Sequence, residues 1–256
     1  MKPWTINEVV VLGTSLAVML AITCVLHYFL HEKSFEVRSI PLKVIAGFMI
    51  ILEVIKQVYF IFNGYTPQWL PFHFCSLFFV WFALAQFAKG GLAQVGRVMG
   101  LVTCVLLCIV FYITPRTIVG ESCSHLFSSF YNFHTVLYHN LVFQYFFITL
   151  ALNMYQPEDR DYFYIFVSFS IYLPIVVCAS YLTGYNYTNI LYSDFAPLEY
   201  IRVHTNQILY ILILYAIAVL GSYAIRFIYG RIKQRVRGTQ EKIDEVDMEM
   251  CENGSK

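Results

Sequence analysis

The chain has 256 residues, of which 59% are hydrophobic, 18% aromatic and 13% charged, with a formal net charge of +1. A mean hydropathy of +0.62 and a charged share well below the roughly 25% of an average soluble domain exclude a water-solvated globular enzyme. The near-zero charge balance excludes a strongly basic surface, so no nucleic-acid partner is expected.

A membrane span needs about 20 mostly apolar residues to cross a hydrocarbon core of roughly 30 Å. Seven stretches meet that length: residues 9–30, 42–62, 69–88, 95–114, 131–153, 162–182 and 207–228. The expected fold is an all-α, polytopic membrane helix bundle of about seven transmembrane helices over residues 1–230. Residues 231–256 form a charged tail expected to be disordered. The first stretch is too long for the 7–15-residue apolar region of a signal peptide and lacks its basic start, so it is read as a retained span. Thirteen of the 17 Lys and Arg fall on one side of the seven-span arrangement. Lys2, Arg116 and Arg202 fall on the other and Lys56 lies inside a span. Positive charge marks the cytoplasmic side, which places the N-terminus outside and the C-terminus in the cytosol. The protein is expected to be multi-pass, with the cell membrane favoured.

Ionisable groups at membrane depth are costly and usually face the bundle interior. The second span carries Glu53 and Lys56 at i, i+3, where their side chains can meet. A mutual salt bridge and a direct role for Glu53 both fit that spacing. The third span opens with Leu70-Pro-Phe-His-Phe-Cys-Ser76, a proline-led helix start that carries His73, Cys75 and Ser76 into an apolar run. The fourth span holds Cys104 and Cys108 on one face without nearby His or carboxylate ligands, so packing is read there rather than a metal. Five of the seven Cys fall inside spans and no CxxC pair occurs, which excludes a disulfide framework.

The fifth span contains His134 and His139, and the sixth ends at Gly184 in a polar turn with Tyr185 and Asn186. At 1.5 Å per residue, Glu53 lies about 14 Å below the outer end of its span, His73 about 6 Å, Cys75 and Ser76 about 10 Å, His134 about 5 Å and His139 about 12 Å. All fall in the outer half, which makes them one candidate site. On a continuous helix Ser76 would share a face with His73, and Cys75 would point about 200° away. Tyr131, His134 and Tyr138 form one stripe of the fifth span, so His134 is favoured over His139 for the site. Asn186-Tyr-Thr188 fits a glycosylation sequon but sits too close to the membrane surface for a confident acceptor. The tail segment Arg231–Arg237 has the composition of a juxtamembrane basic patch, and also of an ordinary positive-inside stop, which is the preferred reading.

The combination of Pro71-Phe-His-Phe-Cys-Ser76, Phe133-His-Thr-Val-Leu-Tyr-His139 and Thr183-Gly-Tyr-Asn-Tyr187 resembles the YwaF family of integral membrane proteins. It is more distantly similar to animal transmembrane proteins assigned as phospholipid acyltransferases. The resemblance runs from Glu53 to about Asn186 and implies a shared bundle. Family members show Pro-x-His-x-Cys-Asp, matched by Pro71, His73 and Cys75, with Ser76 in place of the acid. The acyltransferase branch has a cysteine directly before the histidine, where this chain has Phe72. Glu53 and His134 fall where that branch has a Glu and a His.

These readings combine into an outward-opening, His/Glu-lined cavity acting on an acyl lipid. His73 or His134 would be general base, Ser76 or Cys75 nucleophile, and Glu53 the group that orients an imidazole or balances its charge. His139, Asn186, Tyr185 and Tyr138 would contact the lipid or acyl-chain substrate. No cofactor and no metal is expected, and the partner is membrane lipid. The alternative is a transporter or channel that uses the same residues as a substrate or proton site.

Overall fold

The structure, a computed structural model, describes residues 5–64, 66–113, 119, 122–193 and 195–253, with side chains described to residue 239 except at 112, 113 and 237. It is helical throughout, with no strand among the described residues. α1 runs Ile6–Leu30, α2 Phe35–Phe62, α3 Phe78–Phe87 and α4 Gly90–Ile113. α5 runs Phe130–Ala151, α6 Asp161–Thr183, the short α7 Ala196–His204 and α8 Gln207–Asn253. Two 3₁₀ turns, Pro67–Trp69 and Phe74–Leu77, precede α3. α2 begins seven residues before the expected span and contains Pro41, and α8 continues past the expected membrane exit into the charged segment. Residues 231–256 are the tail expected to be disordered; their backbone is described to residue 253, as helix continuing α8, and their side chains to residue 239.

Six helical segments are long and apolar enough to cross a membrane, the third being the composite Pro67–Phe87. The chain is therefore an integral, multi-pass membrane protein. α5 corresponds to the expected fifth span but does not meet the apolar criterion, because it carries Asn132, His134, His139, Asn140 and Gln144. Of these, His134, His139 and Gln144 turn inward rather than to lipid. α5 packs on α1, α2 and α4 and buries residues on more than one face, among them His134, His139 and Gln144. α1 is its opposite, leaving Val9, Val18, Ile22 and Val25 exposed as a lipid-facing apolar surface.

One core cluster joins Leu42, Ala46 and Met49 of α2 to Phe78 and Phe82 of α3, Cys104 and Leu107 of α4, and Tyr138, Val142 and Ile148 of α5. Within it the Phe82 and Tyr145 rings stack 3.6 Å apart. A second cluster, with Val98, Val102, Ile165, Phe169 and Val219, binds α4, α6 and α8. α3 and α4 can approach closely only because residue 96 is glycine: a Cβ there would lie 2.3 Å from the Ala85 nitrogen and 2.5 Å from the Trp81 carbonyl oxygen. Small residues set such backbone approaches in membrane bundles.

The end of the bundle opposite His73 and His134 is locked by charge. Asp161, fully buried at the start of α6, accepts from the Tyr155 hydroxyl at 2.5 Å, the Glu158 amide at 2.7 Å, Gln94 at 2.9 Å and Arg226 Nε at 3.2 Å. Arg226 also donates to the Glu158 carbonyl at 2.8 Å, so α4, α6 and α8 share one hydrogen-bonded joint.

Candidate functional site

The third span is not a helix that begins at Pro71. Leu70 and His73 are extended (ψ 144° at both), the Phe72 amide turns back to the Leu70 carbonyl at 2.8 Å, and α-helix starts only at Phe78. Proline disfavours the helical conformation of the residue before it, which puts Leu70 in the extended region. The consequence is a correction: phase counted along a continuous helix does not relate His73 to Ser76. Instead the Ser76 amide bonds to the His73 carbonyl at 2.9 Å inside a 3₁₀ turn.

Non-helical backbone at membrane depth persists only where protein or a water-lined space satisfies it. Here the satisfying groups come from other segments. Gln57 donates to the Trp69 carbonyl at 2.9 Å, Tyr172 to the Phe72 carbonyl at 2.8 Å, and Tyr187 to the Pro67 carbonyl. Tyr187 belongs to a second irregular stretch that follows Gly184, whose positive φ of 69° ends α6. Thr188 and Asn189 are also left-handed, at φ 53° and 60°. This loop is tied down by Tyr210 on the Asn189 carbonyl at 2.7 Å and by Gln207 on the Ile190 carbonyl at 2.5 Å. It is fixed to α7 by Glu199, which accepts from the Ser193 amide at 2.9 Å. The guanidinium of Arg202, bidentate at 2.8 and 2.5 Å, and the Ser193 amide hold the Glu199 carboxyl down at about 2. The two irregular stretches form a roof.

Beneath the roof lies a chamber of about 480 Å³. Every residue assigned to the site from sequence lines it: Glu53, His73, Cys75, Ser76, His134, Tyr138, His139, Tyr185 and Asn186. Lys56, Gln68, Trp69, Tyr131 and Thr135 join them. Both His134, favoured by helical phase, and His139 line the chamber. α5 buries residues on more than one face, and residues about 140° apart can both be interior.

Geometry separates the roles. Lys56 Nζ lies 2.8 Å from Glu53 Oε1, which also accepts from Gln57 at 2.8 Å. Glu53 Oε2 is buried with no hydrogen-bond partner among the described residues, as are Nε2 of His134 and Nε2 of His139. His139 Nδ1 is 2.7 Å from the Thr135 carbonyl. His73 meets the edges of the Tyr185 and Tyr187 rings, with centroids 5.6 and 5.2 Å away. Neither Ser76 Oγ nor Cys75 Sγ hydrogen-bonds a histidine among the described residues, and Cys75 packs on the main core cluster. Tyr138, expected at the substrate, is committed elsewhere: its hydroxyl donates to the Ser76 carbonyl at 3.1 Å and accepts from the Phe79 amide at 3.2 Å, clamping the start of α3. Asn186 is similarly engaged, accepting from the Leu191 amide and donating to the Tyr192 carbonyl, both at 2.8 Å. Burial pushes the Tyr185 phenol up.

Sequence reading missed Lys56 as a chamber residue and the roof-holding phenols Tyr172 and Tyr187. The pre-proline Leu70 and the left-handed-prone Asn189 were the available signals for the roof.

A roofed polar chamber inside a multi-pass helical bundle thus defines the class of protein. Residues 3–226, nearly the whole chain, match the family model of the TMEM164 family, and the chain belongs to that family of transmembrane proteins. No curated protein and no solved structure gives a significant match to it.

Proposed function

We propose that the protein acts on acyl lipids, as an acyltransferase or a lipid hydrolase, with the chemistry in the roofed chamber. The observation that carries this reading is the gathering of Glu53, His73, His134 and His139 around one space, with an acid atom of Glu53 and an imidazole atom each of His134 and His139 buried without a hydrogen-bond partner among the described residues. Buried groups of this kind are expensive, and at membrane depth they mark function more often than packing. The chamber mixes aromatic and aliphatic surface with polar groups, which suits an amphiphile. The distant likeness to phospholipid acyltransferases, with Glu53 and His134 at matching places, points the same way.

In this reading an imidazole takes a proton from the attacking group and Glu53 balances the charge that develops. The attacking group is Ser76, Cys75 or a hydroxyl that enters the chamber. The distribution of Lys and Arg opens the chamber to the outside. Purified protein mixed with diacyl phospholipid should release or transfer acyl chains, detected by mass spectrometry, and His134→Ala should abolish the turnover.

The broken third span favours one other reading, a transporter, because interrupted helices line substrate sites in that class. Wild-type protein that turns over no lipid but moves protons or a solute across liposomes would replace the enzyme reading with this one.

A further inference from the structure

We propose that the Lys- and Arg-rich end of the bundle binds the phosphate of an anionic phospholipid headgroup, with the guanidinium of Arg97 as its anchor and Arg38 and Lys233 beside it. The site is separate from the roofed chamber and does not depend on the chemistry there.

Three cations meet around the segment that leaves α5. Arg38 Nη1 donates to the Leu152 carbonyl at 2.9 Å, and Lys233 Nζ donates to the Tyr155 carbonyl at 3.0 Å and to Gln156 Oε1 at 3.3 Å. Leu152 and Tyr155 are three residues apart, at most about 11 Å of chain at 3.8 Å between successive Cα atoms. The two charges are close enough to repel one another. Arg97 joins them from α4. Its guanidinium carbon lies 5.5 Å from the centroid of the Phe35 ring, and Phe35 precedes Arg38 by one turn of α2, where side chains are surface neighbours.

These charges differ from the joint beside them in having no counter-charge. Arg226, two turns before Lys233 on α8, is paired with Asp161 at 3.2 Å. None of Arg38, Arg97 and Lys233 is ion-paired among the described residues, and Arg97 has no hydrogen-bond acceptor there either. Yet Arg97 stands seven residues into α4, about 10 Å from its start at 1.5 Å per residue. An unpaired guanidinium at such depth is expensive.

The missing partner comes from outside the fold. On one side Arg97 borders a cavity of about 10 Å³ shared with Thr149 and Met154, which has room for a water molecule at most. On another lies Phe35, which is 45% exposed. No nitrogen of Arg97 is fully buried, and the unbonded Nη2 of Arg38 is open too, whereas Nε of Arg38 is sealed. Lys233 Nζ has three hydrogens and two bonds, which leaves one to give. A planar guanidinium fits a phosphate with two parallel bonds, and the added positive charge selects a net-anionic lipid over a zwitterionic one. Phe35, Leu92 and Ile232 are exposed apolar side chains at the same end of these three helices, which points to a lipid rather than a free phosphate.

The test titrates the purified full chain in detergent with phosphatidylglycerol or phosphatidylcholine and follows bound lipid by native mass spectrometry. Phosphatidylglycerol should bind more tightly. Arg97→Gln should weaken it about 5-fold or more, since one charge near a lipid surface is worth about 1 kcal/mol. Arg97→Lys should recover part of the loss, because an ammonium keeps the charge but not the fork. Arg97 bonds nothing in the fold, so both variants should keep the wild-type thermal midpoint without lipid; Lys233→Gln supplies the same comparison on a second residue. Arg231→Gln/Arg235→Gln, which removes two exposed charges from the same helix, should weaken binding less than Arg97→Gln does. Equal or greater loss in that double variant would make the effect a diffuse positive surface and overturn the site. Equal affinity for the two lipids, or wild-type affinity in both Arg97→Gln and Lys233→Gln, would overturn it as well. Inorganic phosphate that displaces phosphatidylglycerol at millimolar concentration would overturn the lipid as its natural occupant.

Discussion

Lys56 and Glu53 stand one helical turn apart on α2 with 2.8 Å between Nζ and Oε1, both more than nine-tenths buried. Neither charge is tolerable alone at that depth. Breaking a buried pair costs about 3–5 kcal/mol because the survivor stays uncompensated. Lys56→Met should therefore lower the thermal midpoint in detergent sharply, and adding Glu53→Gln should restore much of it. Equal destabilisation in the single and double variants would mean that the two charges are not coupled.

Close approach at Gly96 gives a second prediction. The Cβ of Gly96→Ala would collide with backbone atoms of Trp81 and Ala85, which cannot swing aside as a side-chain tip can. Overpacking costs about 1–3 kcal/mol and more where backbone must move. The variant should show a much reduced folded yield by size-exclusion chromatography. Gly13→Ala, with nothing within 4 Å of the added atom, should behave as wild type.

The clamp between Glu199, Arg202 and the Ser193 amide should be pH-dependent in a defined window. Its carboxyl is held at about 2, below the ordinary value of 4.5. The contribution is thus present above the ordinary carboxylate range and is lost as pH falls toward 2. Hydrogen exchange at Ser193 should stay protected near pH 4 and open as pH approaches 2, and Glu199→Gln should open it at every pH.

Topology gives a fourth prediction. From the Lys and Arg distribution, a tag after Lys256 should be inaccessible to protease added to intact cells, and a tag before Met1 should be removed. The reverse pattern would place the chamber on the cytosolic side.

Much of the architecture was legible because hydropathy reports solvent directly: six of the seven apolar stretches are membrane-competent segments. The seventh, α5, shows that criterion failing for a physical reason, since a helix packed on several neighbours is free to carry His134, His139 and Gln144 on its buried faces. The break before α3 was hidden for a related reason. Residues such as Phe72, Phe74 and Leu77 are as apolar in an extended or 3₁₀ conformation as in an α-helix, so only Leu70 before Pro71 signals the change. The shared neighbourhood of Glu53, His73, Cys75, Ser76, His134 and His139 was legible from their matched depth, and they line one chamber. Its internal geometry was not legible, because phase along one helix says nothing once that helix is interrupted, and because the phenol of Tyr138 was spent on backbone groups of Ser76 and Phe79.

The hydroxyl of Tyr172 reaches both halves of the roof, donating to the Phe72 carbonyl at 2.8 Å and lying 2.7 Å from Thr188 Oγ1. Genetically, the stretches around Pro67–His73 and Tyr185–Asn189 should therefore behave as one locus, although about a hundred residues of chain lie between them. A lesion in either should mask a lesion in the other, and suppressors of a change at Phe72 should map to Tyr172 and Thr188 before they map to its neighbours in sequence.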